Sequence, residues 1–132
     1  MSKILIADDS ELMRKMLRDA LTKSGHTVAA EASNGYEACL QYEKVQPDLV
    51  TLDIHMPQMS GMEVLKALLS KYPDARIIIV SSEGCSSMIC QALKTGAKNY
   101  VIKPFLLQGL IDTINSTLQH SSFLYNRGIE SL

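Results

Sequence analysis

Five short apolar runs alternate along the chain with longer segments in which apolar residues recur at helical spacing. Each run has the length of a strand, and four of the five are nearly continuous in apolar character, as in strands covered on both faces. The runs span residues 4–7, 27–30, 49–52, 77–80 and 100–102. Strands that alternate with helices form a parallel sheet with helices on both faces. The sequence therefore predicts an α/β fold of the (βα)₅ type, a doubly wound parallel five-stranded sheet.

The intervening helices are bounded by capping residues and by glycine or proline. Ser60, followed three residues later by Glu63, has the pattern of a capping box. The predicted starts are Ser10, Asn34 or Gly35, Ser60, Ser86 or Ser87, and a position near Leu107. The predicted ends are Gly25, Pro47, Pro73, Gly96 and His120. Residues 1–120 are thus predicted to form one domain. Residues 121–132 form a C-terminal tail that docks as an extra turn, binds a partner or frays.

The composition argues against several classes of protein. The net charge is −1, so no overall charge attracts the chain to nucleic acid or to an anionic membrane. No apolar run approaches the roughly 18 residues of a membrane span, and the N-terminus lacks the apolar stretch of a signal peptide. Cys39, Cys85 and Cys90 lack the spacing and the histidines of a zinc site, so reduced thiols are expected. We expect a cytoplasmic protein without membrane insertion.

Reactive polar residues follow four of the five predicted strands. The first strand runs into Asp8 and Asp9, the third into Asp53, the fourth into Ser81 and the fifth into Lys103. In an open α/β sheet, ligands bind outside the carboxyl ends of the strands. These side chains are therefore predicted to converge on one edge of the sheet.

The combination of residue types at this edge indicates phosphoryl chemistry. At an effective dielectric constant of ~20, each pair of carboxylates about 4 Å apart costs roughly 4 kcal/mol, and an all-oxygen acidic site favours a hard cation such as Mg²⁺. Lys103 adds a second positive charge for a phosphoryl group, and an aspartate carboxylate is a known covalent acceptor of phosphate. Alone, Asp8 and Asp9 could simply cap a helix, and Asp53 could occupy a turn. Together they predict that Asp53 is a phosphate acceptor.

With these residues in place, the chain resembles a response-regulator receiver domain of two-component systems, of the stand-alone chemotaxis-regulator type. The resemblance spans roughly residues 3–120. It rests on Asp8-Asp9, Asp53, the run Met56-Pro57-Gln58-Met59-Ser60-Gly61, Ser81 and Lys103-Pro104-Phe105. It implies a flavodoxin-like sheet with the strand order 2-1-3-4-5.

The resemblance implies a role for each matching residue. Asp53 would take phosphate from a phosphohistidine of a sensor histidine kinase or from a small acyl phosphate. The phosphoryl group would contact Lys103 and the inward-turning hydroxyl of Ser81, and Tyr100 would change rotamer with that movement. The Lys103–Pro104 bond would be cis. The implied Mg²⁺ ligands are Asp8, Asp9, Asp53 and, through its backbone carbonyl, His55.

Some positions depart from the family's pattern or vary within it. Ser81 stands where threonine is commoner and supplies the same hydroxyl. His55 and Glu83, two residues after Asp53 and Ser81, occupy variable positions that influence the lifetime of the phosphoryl group. We expect His55 to tune that lifetime and not to act as a base or as a side-chain metal ligand.

The last predicted helix begins weakly and carries little charge. Leu106 replaces the expected cap and Gly109 lies in the first turn, which weakens the start by about 1 kcal/mol each. Between Leu106 and Leu118, only Asp112 is charged. By resemblance, the fourth helix, the fifth strand and the fifth helix present the signal to a downstream protein. One hypothesis is that this helix, with the segment 123–125, contacts that protein; the other is that it simply packs on the sheet.

Several functions fit these features. The preferred one is a stand-alone, diffusible regulator of a flagellar motor, and the alternative is a phosphorelay intermediate that passes phosphate to a histidine phosphotransferase. A Mg²⁺-dependent phosphatase resembling haloacid dehalogenases is a remote third, because those enzymes have a second aspartate where this chain has His55. The residues after His120 are too few and not basic enough for a DNA-binding domain. We expect a monomer that catalyses only its own phosphoryl transfer and autodephosphorylation and therefore is not an enzyme.

Overall fold

The computed structural model describes the backbone of residues 2–131 and the side chains of residues 2–119. Strands and helices alternate throughout this part of the chain. The strands are β1 (Lys3–Ala7), β2 (Thr27–Ala32), β3 (Leu49–Leu52), β4 (Ile77–Ser81) and β5 (Asn99–Ile102). The helices are α1 (Glu11–Lys23), α2 (Gly35–Val45), α3 (Gly61–Lys71), α4 (Ser86–Thr95) and α5 (Leu107–Ser131).

In the described backbone, five parallel strands form one sheet in the order β2-β1-β3-β4-β5. This arrangement confirms the predicted fold class and strand order. The buried strands β3 and β4 lie inside the sheet, as their continuous apolar character indicates. Because Ala7 of β1 is in register with Leu52 of β3, the residues that follow them, Asp8 and Asp53, emerge side by side.

The apolar side chains form two cores, one on each face of the sheet. Successive residues of β1 alternate between them: Leu5 and Ala7 join the core under α2, α3 and α4, whereas Ile4 and Ile6 join the core under α1 and α5. The sheet is therefore covered on both faces, and its carboxyl edge is left open for polar residues.

The ends of the helices follow the capping residues closely. Ser10 and Asn34 each accept a backbone N–H three residues ahead, and Ser60 and Glu63 form the predicted capping box. Helix α4 begins at Ser86, one of the two predicted starts, without a side-chain cap. Gly96 follows α4 with φ of 128°, a conformation that favours glycine.

Helix α5 continues beyond the predicted end at His120 and reaches Ser131. The fading apolar periodicity had indicated an earlier end, but no proline follows Pro104 to stop the helix. The predicted role of residues 123–125 lies outside the described side chains. None of the described helices is long and apolar enough to cross a membrane.

Candidate functional site

Three carboxylates meet where β1 and β3 end. The Asp8 N–H donates to the carbonyl of Ala32 on β2 at 3.0 Å, and the Asp53 N–H donates to the carbonyl of Ala7 at 2.9 Å. These bonds extend the sheet by one residue and bury both side chains, whereas Asp9 remains exposed. One carboxylate oxygen from each of the three lies within 4.8 Å of the others. Backbone pairing thus builds an acidic cluster at the edge of the sheet.

Lys103 reaches this cluster from the end of β5. Its ammonium Nζ lies 2.8 Å from Asp8 Oδ2 and 3.4 Å from Asp53 Oδ2. Its backbone N–H donates to the carbonyl of Ser81 at 2.8 Å, which ties the start of the β5–α5 loop to β4. The following Lys103–Pro104 peptide bond is cis. One cation therefore bridges the carboxylates that follow β1 and β3.

The electrostatics of the cluster leave room for more positive charge. Burial raises the pKa of Asp53, the Lys103 ammonium opposes that shift, and the Asp8 carboxylate adds to it. Burial lowers the pKa of Lys103, but hydrogen bonding and attraction to Asp8 and Asp53 outweigh it, so its pKa is raised. Three carboxylates against one ammonium leave an excess of negative charge, which a divalent cation would neutralise.

The loop after β3 is held tightly against Asp53. The His55 N–H lies 3.3 Å from Asp53 Oδ1, and the Gly61 N–H donates to the carbonyl of Ile54 at 2.8 Å. A Cβ atom on Gly61 would lie 2.2 Å from the Asp53 carbonyl oxygen, so only glycine fits there without a shift of the backbone. The first residue of α3 thereby packs directly against the backbone of Asp53.

Ser81 and Tyr100 both form hydrogen bonds with Glu83 in the β4–α4 loop. Ser81 is fully buried at the end of β4, and its Oγ accepts the N–H of Glu83 at 3.1 Å. The Tyr100 hydroxyl donates to the carbonyl of the same Glu83. Burial is the main cause of a raised pKa for Tyr100. Both side chains therefore hold one residue of the loop.

His55 and Glu83 face each other beside the site. His55 Nε2 lies 3.5 Å from Glu83 Oε2, and the imidazole is the more exposed of the two side chains. The two loops that follow β3 and β4 are thus joined by a contact between the two positions predicted to tune the phosphoryl lifetime.

A family model for the response regulator receiver domain matches residues 4–115. The chain belongs to this family. Among curated relatives, chemotaxis protein CheY of Thermotoga maritima is 42% identical over 113 residues, covering 86% of this chain and 94% of the relative. Chemotaxis protein CheY of Bacillus subtilis is 45% identical over 116 residues, covering 88% and 97%. These matches confirm the resemblance that the motifs indicated.

The receiver fold is also shared with solved structures. The CheX–CheY–BeF3–Mg²⁺ complex of Borrelia burgdorferi contains a chain 31% identical to this one, with a TM-score of 0.83. The alignment covers 92% of this chain and 88% of that chain. A receiver domain of the response regulator NarL from Mycobacterium tuberculosis aligns with a TM-score of 0.85 at 27% identity, covering 89% and 96%.

The receiver site brings together most of the residues singled out in the sequence, but it also includes one that was missed. Asp8, Asp9, Asp53 and Lys103 converge as predicted from the strand ends. Arg14 of α1 was not singled out, yet its guanidinium donates to the Asp8 carbonyl. The signal in the sequence was faint: a basic residue in the first turns of a helix, where the helix dipole disfavours it.

Proposed function

We propose that this receiver is phosphorylated on Asp53 by a sensor histidine kinase and that phosphorylation switches its binding to a downstream protein. The observation that carries the proposal is the Lys103 ammonium bridging Asp8 and Asp53 beside a third carboxylate, Asp9. This arrangement places a nucleophilic carboxylate and a fixed cation together at the open edge of the sheet.

The residues present fit a Mg²⁺ ion. The donor set is all oxygen, which is the chemistry that Mg²⁺ prefers, and the excess negative charge favours a cation. Asp8, Asp9 and Asp53 would hold the ion, with the backbone carbonyl of His55. When bound, Mg²⁺ supplies positive charge that stabilises the phosphoryl oxygens.

The proposed transfer uses Asp53 as the nucleophile. A carboxylate oxygen forms a bond to phosphorus while the bond from phosphorus to the donor's histidine nitrogen breaks, and the imidazole leaves with the electron pair. The Lys103 ammonium, already within 3.4 Å of the Asp53 carboxylate, neutralises charge on the transferred group. The product is an aspartyl phosphate with Lys103 beside it.

The switch begins with Ser81. A phosphoryl group adds a charge of about −1.5 to −2 and three acceptor oxygens. We propose that the Ser81 hydroxyl turns toward this group and gives up its hydrogen bond with Glu83. Tyr100 is bonded to the same residue, so its rotamer changes with the loop. The shift reaches α4, β5 and α5, which present it to the partner.

The pathway we propose is chemotaxis, with a flagellar motor protein as the target. Support comes from the two curated relatives described above, which are chemotaxis proteins named CheY. In this role the chain works as a stand-alone cytoplasmic monomer. It does not work as a phosphatase of the haloacid dehalogenase type with turnover, because His55 stands where those enzymes have a second aspartate. Its own phosphoryl transfer and autodephosphorylation are the reactions it catalyses.

The first prediction is that Asp53 is the modified residue. After incubation with acetyl phosphate and Mg²⁺, intact-mass spectrometry should show the addition of one phosphoryl group to the wild type and to Asp74→Asn. Asp53→Asn should show none. Asp74 is a suitable control because it is an exposed aspartate in the α3–β4 connection. An unmodified wild type, or an Asp53→Asn protein modified to the same extent, would overturn the proposal.

A further inference from the structure

Arg14 connects three elements beside the acidic cluster. It is the fourth residue of α1, and its Nη1 donates to the backbone carbonyl of Asp8 at 2.8 Å. Its Nε lies 3.4 Å from Oε1 of Glu31 on β2, and its side chain is largely buried. A single guanidinium therefore links α1 and β2 to the turn that follows β1.

The hydrogen bond from Arg14 to the Asp8 carbonyl lies next to Asp9, the carboxylate of the cluster with the fewest described contacts. The Asp8 carboxylate already accepts the Ser10 N–H at 2.9 Å and the Lys103 ammonium at 2.8 Å. The Asp9 carboxylate is exposed, and among the described side chains no hydrogen bond or ion pair holds it. The peptide plane between Asp8 and Asp9, whose carbonyl Arg14 binds, sets the direction in which the Asp9 side chain leaves the backbone.

Glu31 in turn sets the position of Arg14. Its second carboxylate oxygen lies 2.6 Å from Nη1 of Arg18, so the carboxylate is held between two guanidinium groups. The side-chain hydrogen bond to Glu31 raises the pKa of Arg18. Glu31 also offsets part of the positive charge that Arg14 brings near a cation site. The position of the Arg14 guanidinium and its positive charge can therefore affect cation binding in different ways.

We propose that Arg14, oriented by Glu31, is a positioning residue for divalent-cation binding, because it holds the Asp8–Asp9 peptide and with it the point from which the Asp9 carboxylate reaches the site. The inference rests on the proposed Mg²⁺ site. Mg²⁺ demands near-ideal geometry, and loss of a partner that orients metal ligands typically costs 10- to 100-fold in affinity. If Arg14 acted through its charge alone, its removal would instead strengthen Mg²⁺ binding by relieving repulsion. The two roles predict opposite signs.

The test is Mg²⁺ binding by isothermal titration calorimetry. Arg14→Met, which keeps the apolar stem, should weaken binding by about tenfold or more. Arg18→Met is the matched control, because Arg18 contacts Glu31 but has no hydrogen bond to Asp8 among the described contacts. It should stay within about twofold of the wild type. Arg14→Lys should bind with intermediate affinity, since an ammonium can donate to the Asp8 carbonyl but lacks the second, forked contact.

Two further readouts separate positioning from a general structural role. In phosphorylation by acetyl phosphate, Arg14→Met should raise the Mg²⁺ concentration for half-maximal rate and leave the rate at saturating Mg²⁺ unchanged. Thermal unfolding without Mg²⁺ measures any loss of fold independently. If Arg14→Met does not fold, Arg14→Lys tests the same link because it keeps the positive charge: positioning predicts weaker Mg²⁺ binding, whereas an effect of charge alone predicts an unchanged affinity.

The outcomes are distinguishable. Arg14→Met that folds and binds Mg²⁺ as tightly as the wild type, or more tightly, overturns the inference and leaves the proposed function standing. An equal loss of Mg²⁺ affinity in Arg14→Met and Arg18→Met also overturns it. A wild type that binds no Mg²⁺ overturns the proposed metal site as well.

Discussion

At the scale of single residues, Asp53 lies between opposing influences. Burial raises its pKa, while the Lys103 ammonium and the His55 N–H favour the ionised form. Two residues earlier, on β3, Thr51 is also buried in an apolar setting, between Ile6 of β1 and Ile78 of β4 in the sheet register. Its hydroxyl has no hydrogen-bond partner among the described residues. The strand that leads into Asp53 therefore contains a buried hydroxyl without a hydrogen-bond partner among the described residues.

Replacing Thr51 with valine should stabilise the protein. The change keeps the branched shape and removes a buried hydroxyl without a partner, so the free energy of unfolding should rise by about 1 kcal/mol. Urea denaturation measures the difference. Thr117→Val is the control, because Thr117 is similarly buried but donates to the Thr113 carbonyl and accepts from Asn99. That variant should be destabilised, and equal effects in both variants would contradict the explanation.

At the scale of elements, α4, β5 and the start of α5 leave apolar side chains exposed. We call Leu93, Ile102, Leu106 and Leu107 the exposed apolar set; all four are exposed, and Leu106 is 83% exposed. Helices α4 and α5 both pack against β5, so Leu93, Ile102 and Leu107 lie on neighbouring elements, and Leu106 directly precedes α5. Tyr100, bonded to the β4–α4 loop, belongs to the same strand as Ile102. The elements that are proposed to shift on phosphorylation, α4, β5 and α5, are therefore those that expose these apolar side chains.

Leu106→Ser should therefore weaken partner binding without changing phosphorylation. For the phosphorylated protein and a peptide of the flagellar motor switch, Kd should rise by about tenfold, which corresponds to roughly 1.4 kcal/mol. Fluorescence anisotropy of a labelled peptide gives the value, and intact mass reports phosphorylation. Leu40→Ser on α2 is the matched control, since Leu40 is also an exposed leucine.

An unchanged Kd for Leu106→Ser would remove this residue from the partner interface. If the wild type instead bound no motor peptide and transferred its phosphate to a histidine phosphotransferase domain, the phosphorelay alternative would replace the motor role.

At the scale of the whole molecule, the buried Asp53 carboxylate opposes the stability of the fold, because its pKa is raised, chiefly by burial. A carboxyl whose pKa is higher in the folded state than in the unfolded chain destabilises the fold above that folded pKa. The effect shrinks as the pH falls toward the unfolded value, where both states are protonated. Ligands that bind the folded state alone stabilise it, by about 2.7 kcal/mol at a concentration of 100 times Kd. Bound Mg²⁺ should therefore change the contribution of the Asp53 carboxylate to fold stability from unfavourable to favourable.

Asp53→Asn should be more stable than the wild type at pH 7 with EDTA, because it removes a buried carboxylate that Asp8 repels. The advantage should disappear below about pH 4, where the unfolded carboxyl is protonated. With Mg²⁺ at pH 7, the wild type should gain more stability than the variant. Urea unfolding at both pH values, with and without Mg²⁺, measures these differences. A wild type more stable than Asp53→Asn in EDTA at pH 7 would contradict the expectation.

Local signals in the sequence were enough to locate the elements. Periodicity and caps such as Ser60 with Glu63 act within a few residues, so the strands and most helix boundaries could be read directly. The extension of α5 to Ser131 escaped because its apolar pattern fades before the helix ends. The strand order was known from the resemblance and not from the strands themselves.

By itself, the sequence determined which side chains would meet, since the carboxyl ends of parallel strands share one edge and Asp8, Asp53 and Lys103 each follow a strand. Only the tertiary structure decided what holds them there. The bond from Arg14 to the Asp8 carbonyl and the contact between His55 and Glu83 join side chains on separate elements. Such contacts depend on how helices and loops pack against the sheet to within a fraction of an ångström. Local sequence patterns do not determine the distances between side chains on separate elements.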